Sequence, residues 1–162
     1  MVYVRLIEAC NLHCAHCFIP NNPKRMEWPD IEAIPARVRS FATPGQVLLF
    51  QFHGGEPTLV GVEFMRRVCV YLRKALEDFE VRFSIQTNLI NFDLRWAELY
   101  REFFDSQVGV SWDEGIRMMR KGRPDSNADF ERVFWEHVVE LQRIGISPVS
   151  YTHLTLPTNR EV

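Results

Sequence analysis

The feature that most limits how this chain can fold is an alternation of short β-forming segments with longer helical patterns. Four segments are rich in β-branched and aromatic residues, and they predict strands over residues 2–9, 47–53, 81–88 and 107–112. Residues 146–148 would begin a fifth strand. Strands separated by helices favour parallel βα units. The sequence therefore predicts an α/β fold built on a parallel sheet.

The helical patterns lie between these strands. One apolar stripe at i, i+3 and i+4 spacing predicts a helix over residues 62–76, and it contains Val62, Met65, Val68, Cys69, Leu72 and Leu76. Two more helices are predicted over residues 93–104, which open with an Asp cap, and 129–144. The helix between the first two strands has the weakest pattern, although Pro29 suits a first helical turn after Trp28.

Composition narrows the protein class without naming a function. The chain has 46% hydrophobic and 25% charged residues with a formal net charge of -2, which is typical of a globular protein. This balance gives no electrostatic reason to expect a nucleic-acid or membrane partner, and no apolar run is long enough to cross a bilayer. We expect a cytoplasmic protein, since a reducing compartment suits exposed thiolates.

Three clustered cysteines carry the strongest chemical signal. Cys10, Cys14 and Cys17 are spaced C-x3-C-x2-C. Three thiolates on one loop can bind three irons of a 4Fe-4S cluster, and the missing fourth ligand leaves one iron open for chemistry. An open iron indicates an enzyme rather than an electron carrier.

A structural zinc site and a disulfide are the two alternatives for these cysteines. A structural zinc site usually shows a second pair of ligands, which is absent here, although His13 or His16 could supply a fourth ligand from a crowded position. A disulfide would leave one of the three thiols unpaired. Cys69 lies in a helical apolar stripe, so we interpret it as a small buried hydrophobic residue.

Further motifs follow the cysteines in order. Gly54-Gly55-Glu56-Pro57, Gln86-Thr87-Asn88 and Val110-Ser111-Trp112-Asp113 are similar to the GGEP, QTN and S-x-D segments of the radical S-adenosylmethionine (SAM) superfamily. The chain resembles most the branch that contains anaerobic sulfatase-maturating enzymes and peptide maturases with SPASM auxiliary-cluster domains. The resemblance covers residues 2–148.

The resemblance implies a partial (β/α)6 barrel, of which this chain would be the N-terminal part, truncated after about four βα units. The cysteine loop and the three motifs each follow one predicted strand. All of them therefore lie at carboxyl ends of strands, the face where barrel enzymes place their chemistry.

The resemblance also implies two cofactors and their ligands. Cys10, Cys14 and Cys17 would bind the 4Fe-4S cluster, and Glu56 would pair with the SAM ammonium group. The implied SAM-binding residues are His16, Gly54, Gly55, Glu56, Pro57, Gln86, Asn88, Ser111, Asp113 and Arg120. Catalytic residues beyond these are not identified.

Strand alternation adds candidates for a ligand pocket. Gln51 and His53 share one face of the second strand, and Ser84, Gln86 and Asn88 share one face of the third. Polar residues facing a barrel interior need partners, so Gln51 and His53 are predicted to contact SAM or substrate. For His53, a hydrogen-bonded core position remains an open alternative.

The chain departs from the family pattern at two turns. Leu89 stands where glycine is common after QTN, and Glu114 stands where glycine commonly follows the Asp. Arg120 is the best match to a family arginine near the SAM carboxylate, whereas Arg117 and Arg123 are interpreted as a solvated basic loop.

The implied reaction is reductive cleavage of SAM to a 5'-deoxyadenosyl radical that abstracts hydrogen from a peptide or protein, in sulfatase maturation or ribosomal-peptide modification. An external electron donor such as flavodoxin or ferredoxin would reduce the cluster. One alternative is a radical SAM enzyme acting on a small molecule or nucleotide. The alternative outside the family is a noncatalytic iron-sulfur or zinc-binding module.

The last residues suggest a different origin. Residues 149–162 resemble a translated sequencing adaptor, since Ser150 to Leu154 would be encoded by TCT TAT ACA CAT CTG. We therefore interpret residues 1–148 as the incomplete radical SAM core and residues 149–162 as a non-native tail. On this interpretation the polypeptide alone folds poorly and is nearly inactive. An intact gene that encodes this tail would refute it.

Overall fold

The chain forms one parallel sheet with helices between the strands. The computed structural model describes residues 1–150, and in them five strands pair in the order β1-β2-β3-β4-β5, every neighbouring pair parallel. The strands are β1 (Val2–Arg5), β2 (Val47–His53), β3 (Glu80–Thr87), β4 (Gln107–Val110) and β5 (Ser147–Ser150). The α/β class and the parallel sheet predicted from the sequence are confirmed.

Five helices connect the strands. They are α1 (Trp28–Glu32), α2 (Ile34–Arg39), α3 (Val62–Ala75), α4 (Leu94–Phe103) and α5 (Ser126–Arg143). A short 3-10 turn, Pro57–Val60, precedes α3. The weakly predicted helix is a pair, α1 and α2, and Pro29 lies in the first turn of α1 as expected. Four βα units and a fifth strand thus fit an incomplete (β/α) barrel.

The central strands separate apolar and polar residues by simple alternation. On β2, Leu48, Phe50 and Phe52 are buried, whereas Gln51 and His53 are only half-buried. On β3, Phe83 and Ile85 are buried while Ser84 and Gln86 are half-buried. Parallel pairing sets Gln51 beside Ser84, so the polar residues of both strands share one face.

The opposite face of the sheet forms the core beneath α3 and α4. The rings of Phe52 and Phe83 stack with their centroids 5.8 Å apart, and Phe104 and Phe103 pack edge-on against them. Cys69 of α3 is fully buried among these residues, which agrees with its interpretation as a core residue. Burial raises the pKa of its thiol.

Most predicted boundaries agree with the structure to within two residues, and two differ by more. The first strand was predicted to reach residue 9 but ends at Arg5, because the chain then turns to bond with other loops: the Glu8 N–H donates to Lys24 O, and Ile7 O accepts from the Gly55 N–H. Helix α5 begins at Ser126 rather than at residue 129, since Ser126 is buried and its Oγ donates to Arg123 O at 2.7 Å.

The predicted fifth strand is present as β5, which pairs with β4 over four residues. Val149 and Ser150, placed by the sequence interpretation in the tail, end this strand, and the rest of that tail lies outside the described residues. No helix within residues 1–150 has the length and apolar character needed to cross a membrane.

Candidate cluster and cofactor site

A cavity of about 790 Å³ opens at the carboxyl ends of the strands. The cysteine loop, the GGEP turn, the end of β3 and the loop after β4 all contribute to its wall. Of the residues predicted from the sequence, those that line it are Cys10, Cys14, Cys17, His16, His53, Gly54, Gly55, Glu56, Gln86, Asn88 and Ser111. Four separate segments thus converge at one site, as the barrel prediction requires.

The three cysteines reach the cavity with different exposure. Cys10 and Cys14 are half-buried and Cys17 is exposed, and none of them is in a disulfide. Burial raises the pKa of Cys10 to about 11 and also raises the pKa of Cys14, where the nearby Arg117 charge opposes the shift. Bound metal would reverse this preference, since metal ligation requires the thiolate.

The cysteine loop is held from both sides. The Asn21 side chain accepts a hydrogen bond from Cys10 N at 2.9 Å and donates one to Cys10 O at 3.0 Å. On the other side, the His13 N–H donates to Met118 O at 2.7 Å. Asn21 was not predicted from the sequence, because an Asn-Asn-Pro run by itself indicates only a turn.

The two glycines of the GGEP turn are required by the protein's own backbone. A Cβ on Gly54 would lie 2.3 Å from Ile7 O, and a Cβ on Gly55 would lie 2.1 Å from Ala9 O. The Gly55 and Glu56 N–H groups donate to these same two carbonyls. The resemblance implies that both glycines bind SAM, whereas the neighbour that requires glycine at these positions is the segment entering the cysteine loop.

Glu56 is buried and its carboxylate is already bonded. Oε1 accepts from Thr58 N, Thr58 Oγ1 and Thr87 Oγ1 at 2.6–3.0 Å, and Oε2 accepts from Asn88 N at 2.8 Å. Burial raises the pKa of this carboxyl, and the hydrogen bonds partly offset that effect. Glu56 therefore ties the GGEP turn to the end of β3, and its pairing with a SAM ammonium stays a prediction.

Gln86 and Ser111 meet in the cavity wall, as their shared place at neighbouring strand ends suggested. Gln86 Nε2 donates to Ser111 Oγ at 2.6 Å. Gln86 Oε1 is buried and has no hydrogen-bond partner within residues 1–150, and the same holds for Arg117 Nε. Buried polar atoms without partners are costly, and both of these belong to residues that line the cavity.

Arg117, rather than Arg120, is the arginine at the cavity. Its side chain is 14% exposed, lines the cavity and pairs with Asp113 at 2.5 Å. Arg120 is 54% exposed and bonds to Asp129 at 2.9 Å, away from the cavity wall. The prediction that Arg117 is exposed to solvent is wrong. Arg120 instead pairs with Asp129 in the acidic first turn of α5.

Three other predicted residues do not line the cavity. Gln51 lies lower on the polar face of β2, Pro57 is buried in the first position of the 3-10 turn, and Asp113 reaches the site only through its ion pairs. Those pairs join it to Arg117 and, at 3.7 Å, to His16. His53 does line the cavity, and its half-burial, together with the Arg5 charge, lowers its pKa.

The two unusual turns show how the chain accommodates its departures from the family pattern. Leu89 adopts a φ of +62°, a left-handed conformation that favours glycine, while its side chain is buried and its carbonyl lies 2.8 Å from His137 Nδ1. At the other turn Glu114 is followed by Gly115, whose φ is +72°. The residue with left-handed backbone conformation in this turn is therefore Gly115, one position after Glu114.

The site suits a cluster with a polar organic ligand beside it. Three cysteine sulfurs provide the donor set, and the polar side chains of Gln86 and Arg117 line the same cavity. Within residues 1–150, no three His, Cys, Asp or Glu side chains are close enough together to bind a single metal ion.

Comparison with known proteins gives a consistent result. A family model described as the radical SAM superfamily matches residues 4–161. A cysteine-type anaerobic sulfatase-maturating enzyme of Clostridium novyi (strain NT) is 35% identical over 127 residues, covering 73% of this chain and 33% of the relative. A serine-type anaerobic sulfatase-maturating enzyme of Klebsiella aerogenes is 28% identical over 122 residues, covering 72% of this chain and 30% of the relative.

Solved structures give the same result for the fold. The structure of native anSMEcpe with bound AdoMet and Cp18Cys peptide has a TM-score of 0.70 and 27% identity, covering 92% of this chain and 41% of that one. Native anSMEcpe with bound AdoMet alone also has a TM-score of 0.70, with 26% identity, covering 93% of this chain and 43% of that one. The chain spans about a third of the length of the curated relatives that it matches.

Proposed function

The chain belongs to the radical SAM superfamily, and we propose that it forms the cluster-binding and SAM-binding part of an enzyme that modifies a peptide or protein side chain. The observation that carries this proposal is the convergence of three cysteines, Gln86 and Arg117 on one cavity. A 4Fe-4S cluster bound there would supply the electron for reductive cleavage of SAM and thereby the hydrogen abstraction that follows.

Each part of the cavity has a distinct task in this proposal. Cys10, Cys14 and Cys17 bind the cluster, and the Asn21 bonds hold their loop in place. Within residues 1–150, Gln86 Oε1 is an acceptor and Arg117 Nε a donor without a partner, and we assign these side chains to the ammonium and carboxylate groups of SAM respectively. Arg117 replaces Arg120 in that role.

The remaining predicted residues either orient another side chain of the site or line the cavity. Ser111 orients the Gln86 amide by accepting a hydrogen bond from its Nε2. Asp113 pairs with Arg117 and lies 3.7 Å from the ring nitrogen of His16, which belongs to the cysteine loop. We assign His16 to a contact with adenine. His53 lines the same cavity and is assigned to SAM or substrate.

A peptide or protein is the substrate class that the relatives support. Both the cysteine-type and the serine-type relatives are sulfatase-maturating enzymes, and one similar structure contains a peptide. We propose oxidation of a Cys or Ser side chain in a sulfatase, with ribosomal-peptide modification as the second candidate. The proposal also includes a SPASM auxiliary domain in the full protein, a flavodoxin or ferredoxin as electron donor, and a cytoplasmic location.

The first experiment tests the cluster. The full-length protein is reconstituted anaerobically with iron and sulfide, reduced, and measured by EPR with and without SAM, alongside Cys14→Ala and the control Cys69→Ala. We expect a 4Fe-4S signal that changes with SAM in the parent chain and in Cys69→Ala, and no such signal in Cys14→Ala. Folded protein that takes up stoichiometric zinc, or no cluster, would contradict the proposal.

The second experiment tests the substrate class. The full-length protein, reconstituted with cluster and SAM, is incubated with peptides that differ only by Cys, Ser or Ala at one position. Mass spectrometry is expected to show oxidation of the Cys or Ser peptide and none of the Ala peptide. Release of 5'-deoxyadenosine with unchanged peptides would point to another substrate.

A further inference from the structure

Asn88, the first residue after β3, is fixed by hydrogen bonds at each of its side-chain polar atoms. It is 4% exposed, its N–H donates to Glu56 Oε2 at 2.8 Å, and its Oδ1 accepts from Ile90 N at 3.0 Å. Its Nδ2 donates to Asn11 Oδ1 at 2.7 Å and lies 3.8 Å from Cys10 Sγ. The amide therefore points at the cysteine loop with little freedom to turn toward another ligand.

The two N–H bonds of Nδ2 account for these two contacts. An amide NH₂ group has two donors and no acceptor. One donor is satisfied by Asn11, which neighbours Cys10 in sequence, so the other is directed at the Cys10 sulfur. The Leu12 N–H also approaches this sulfur, at 3.4 Å. Cys10 Sγ thus receives one main-chain and one side-chain N–H.

Hydrogen bonds to the sulfurs of an iron-sulfur cluster are among the factors that set its reduction potential. An N–H donor stabilises negative charge on sulfur, and the reduced cluster carries one more negative charge than the oxidised cluster. A donor that is already oriented before the cluster forms therefore favours reduction. Burial of the amide strengthens this effect because water competes less for the bond.

We propose that Asn88 is a positioning residue that raises the reduction potential of the cluster by donating a hydrogen bond to Cys10 Sγ. The resemblance implied that Asn88 binds SAM, but its amide is occupied by Asn11 and Cys10. Glu56 and Ile90 hold the residue at its backbone N–H and its Oδ1. This inference rests on the proposed cluster at Cys10, Cys14 and Cys17.

The test compares two asparagines that both contact Cys10. Asn88→Ser keeps a short acceptor for the Ile90 N–H but is too short to reach the sulfur. Asn88→Asp keeps the shape and replaces the donor by an acceptor. The matched control is Asn21→Ala, because Asn21 bonds only to backbone atoms of Cys10 and Leu12 in the part of the chain that the structure describes.

The measurement is an EPR-monitored redox titration of the reconstituted full chain without SAM. We expect a more negative midpoint potential in Asn88→Ser and a further negative shift in Asn88→Asp. Asn21→Ala is expected to bind less cluster while keeping the parent potential. An unchanged potential in Asn88→Ser would overturn the inference while leaving the cluster proposal intact, and a folded parent chain without a cluster would overturn both.

A second measurement detects the hydrogen bond directly, in the unmutated protein and in Asn88→Ser. The chain is labelled with asparagine carrying ¹⁵N at the side-chain amide, reconstituted and reduced, and studied by pulsed EPR. A ¹⁵N coupling to the cluster that disappears in Asn88→Ser supports the hydrogen bond. Absence of any such coupling in the parent chain overturns it.

Discussion

The two faces of β2 and β3 are built from alternate residues of the same strands, yet they differ in almost every physical respect. The face beneath α3 and α4 is closed and aromatic, with Phe52 and Phe83 in contact at 5.8 Å. The opposite face carries Gln51, Ser84 and Gln86, which are half-buried, and within residues 1–150 neither Ser84 Oγ nor Gln86 Oε1 has a hydrogen-bond partner.

This difference shows how the chain separates folding from chemistry. The aromatic face contributes stability because apolar area is removed from water and the rings pack closely. Buried polar atoms without partners reduce stability, and a ligand that bonds with those on the other face would offset this cost. The four predictions below test that separation, beginning with the largest expected effect.

Substitutions of neighbouring residues on opposite faces of β2 should differ most in their effect on the free energy of unfolding. Phe52→Ala removes a ring from the packed face and is expected to lower the free energy of unfolding by about 3–5 kcal/mol. Gln51→Ala, one residue earlier on the open face, should change it by less than about 0.5 kcal/mol. Urea denaturation followed by circular dichroism measures both. Equal losses would mean that the open face also contributes to the core.

The glycines at the edge of the polar face provide the second test. Gly55→Ala places a Cβ 2.1 Å from Ala9 O, between two main-chain segments that cannot yield, so a loss of about 3 kcal/mol or more is expected together with weaker cluster retention. Gly115→Ala meets no atom within 4 Å but must adopt a φ of +72°, which costs about 1–2 kcal/mol. Urea denaturation measures the loss of stability in both variants, and iron analysis measures how much cluster each retains. Equal iron retention in the two variants would show that the GGEP turn does not support the cysteine loop.

The third test separates two arginines three positions apart. Arg117→Leu removes the cation at the cavity and should weaken SAM binding about 10- to 100-fold, since hydrogen bonds to charged groups contribute roughly 1.5–3 kcal/mol. Arg120→Leu removes an equally charged side chain that pairs with Asp129 outside the cavity, and it should leave the affinity unchanged. Isothermal titration of the reconstituted chain with SAM gives both affinities. A larger loss of SAM affinity in Arg120→Leu than in Arg117→Leu would support the sequence prediction that Arg120 binds SAM.

The smallest effect is a pH dependence. Because burial raises the pKa of Glu56 above its ordinary 4.5, the folded chain keeps this proton at pH values where the unfolded chain has lost it. The resulting stability is complete below pH 4.5 and is lost as the pH rises through the folded pKa, by at most about 1.4 kcal/mol per pH unit.

Urea denaturation between pH 4.5 and 7 compares the parent chain with Glu56→Gln, which lacks this proton equilibrium. The control Glu63→Gln changes an exposed residue of α3. We expect the stability difference between the parent chain and Glu56→Gln to fall with rising pH, while the difference for Glu63→Gln stays nearly flat. Parallel curves for both variants would show that Glu56 titrates as an ordinary carboxyl.

Most of the fold was readable in the sequence because its signals are local. The alternation on β2 placed Gln51 and His53 on one face, and the apolar stripe of α3 placed Cys69 in the core. The predicted end of β1 was wrong because it depends on a distant loop: Ile7 O accepts from the Gly55 N–H, and a local sequence pattern contains no such partner. The predicted start of α5 was wrong because the apolar stripe begins only at Phe130, whereas the helix already begins at buried Ser126, whose Oγ donates to Arg123 O.

The site divides in the same way. The sequence by itself determined the radical SAM superfamily, the cysteine loop and the location of each motif at a strand end, since spacing and strand order are properties of the chain. Only the tertiary structure decided that Arg117 rather than Arg120 faces the cavity, and that Asn88 faces Cys10. Both depend on which partners lie within hydrogen-bonding distance, and those partners come from segments far apart in sequence.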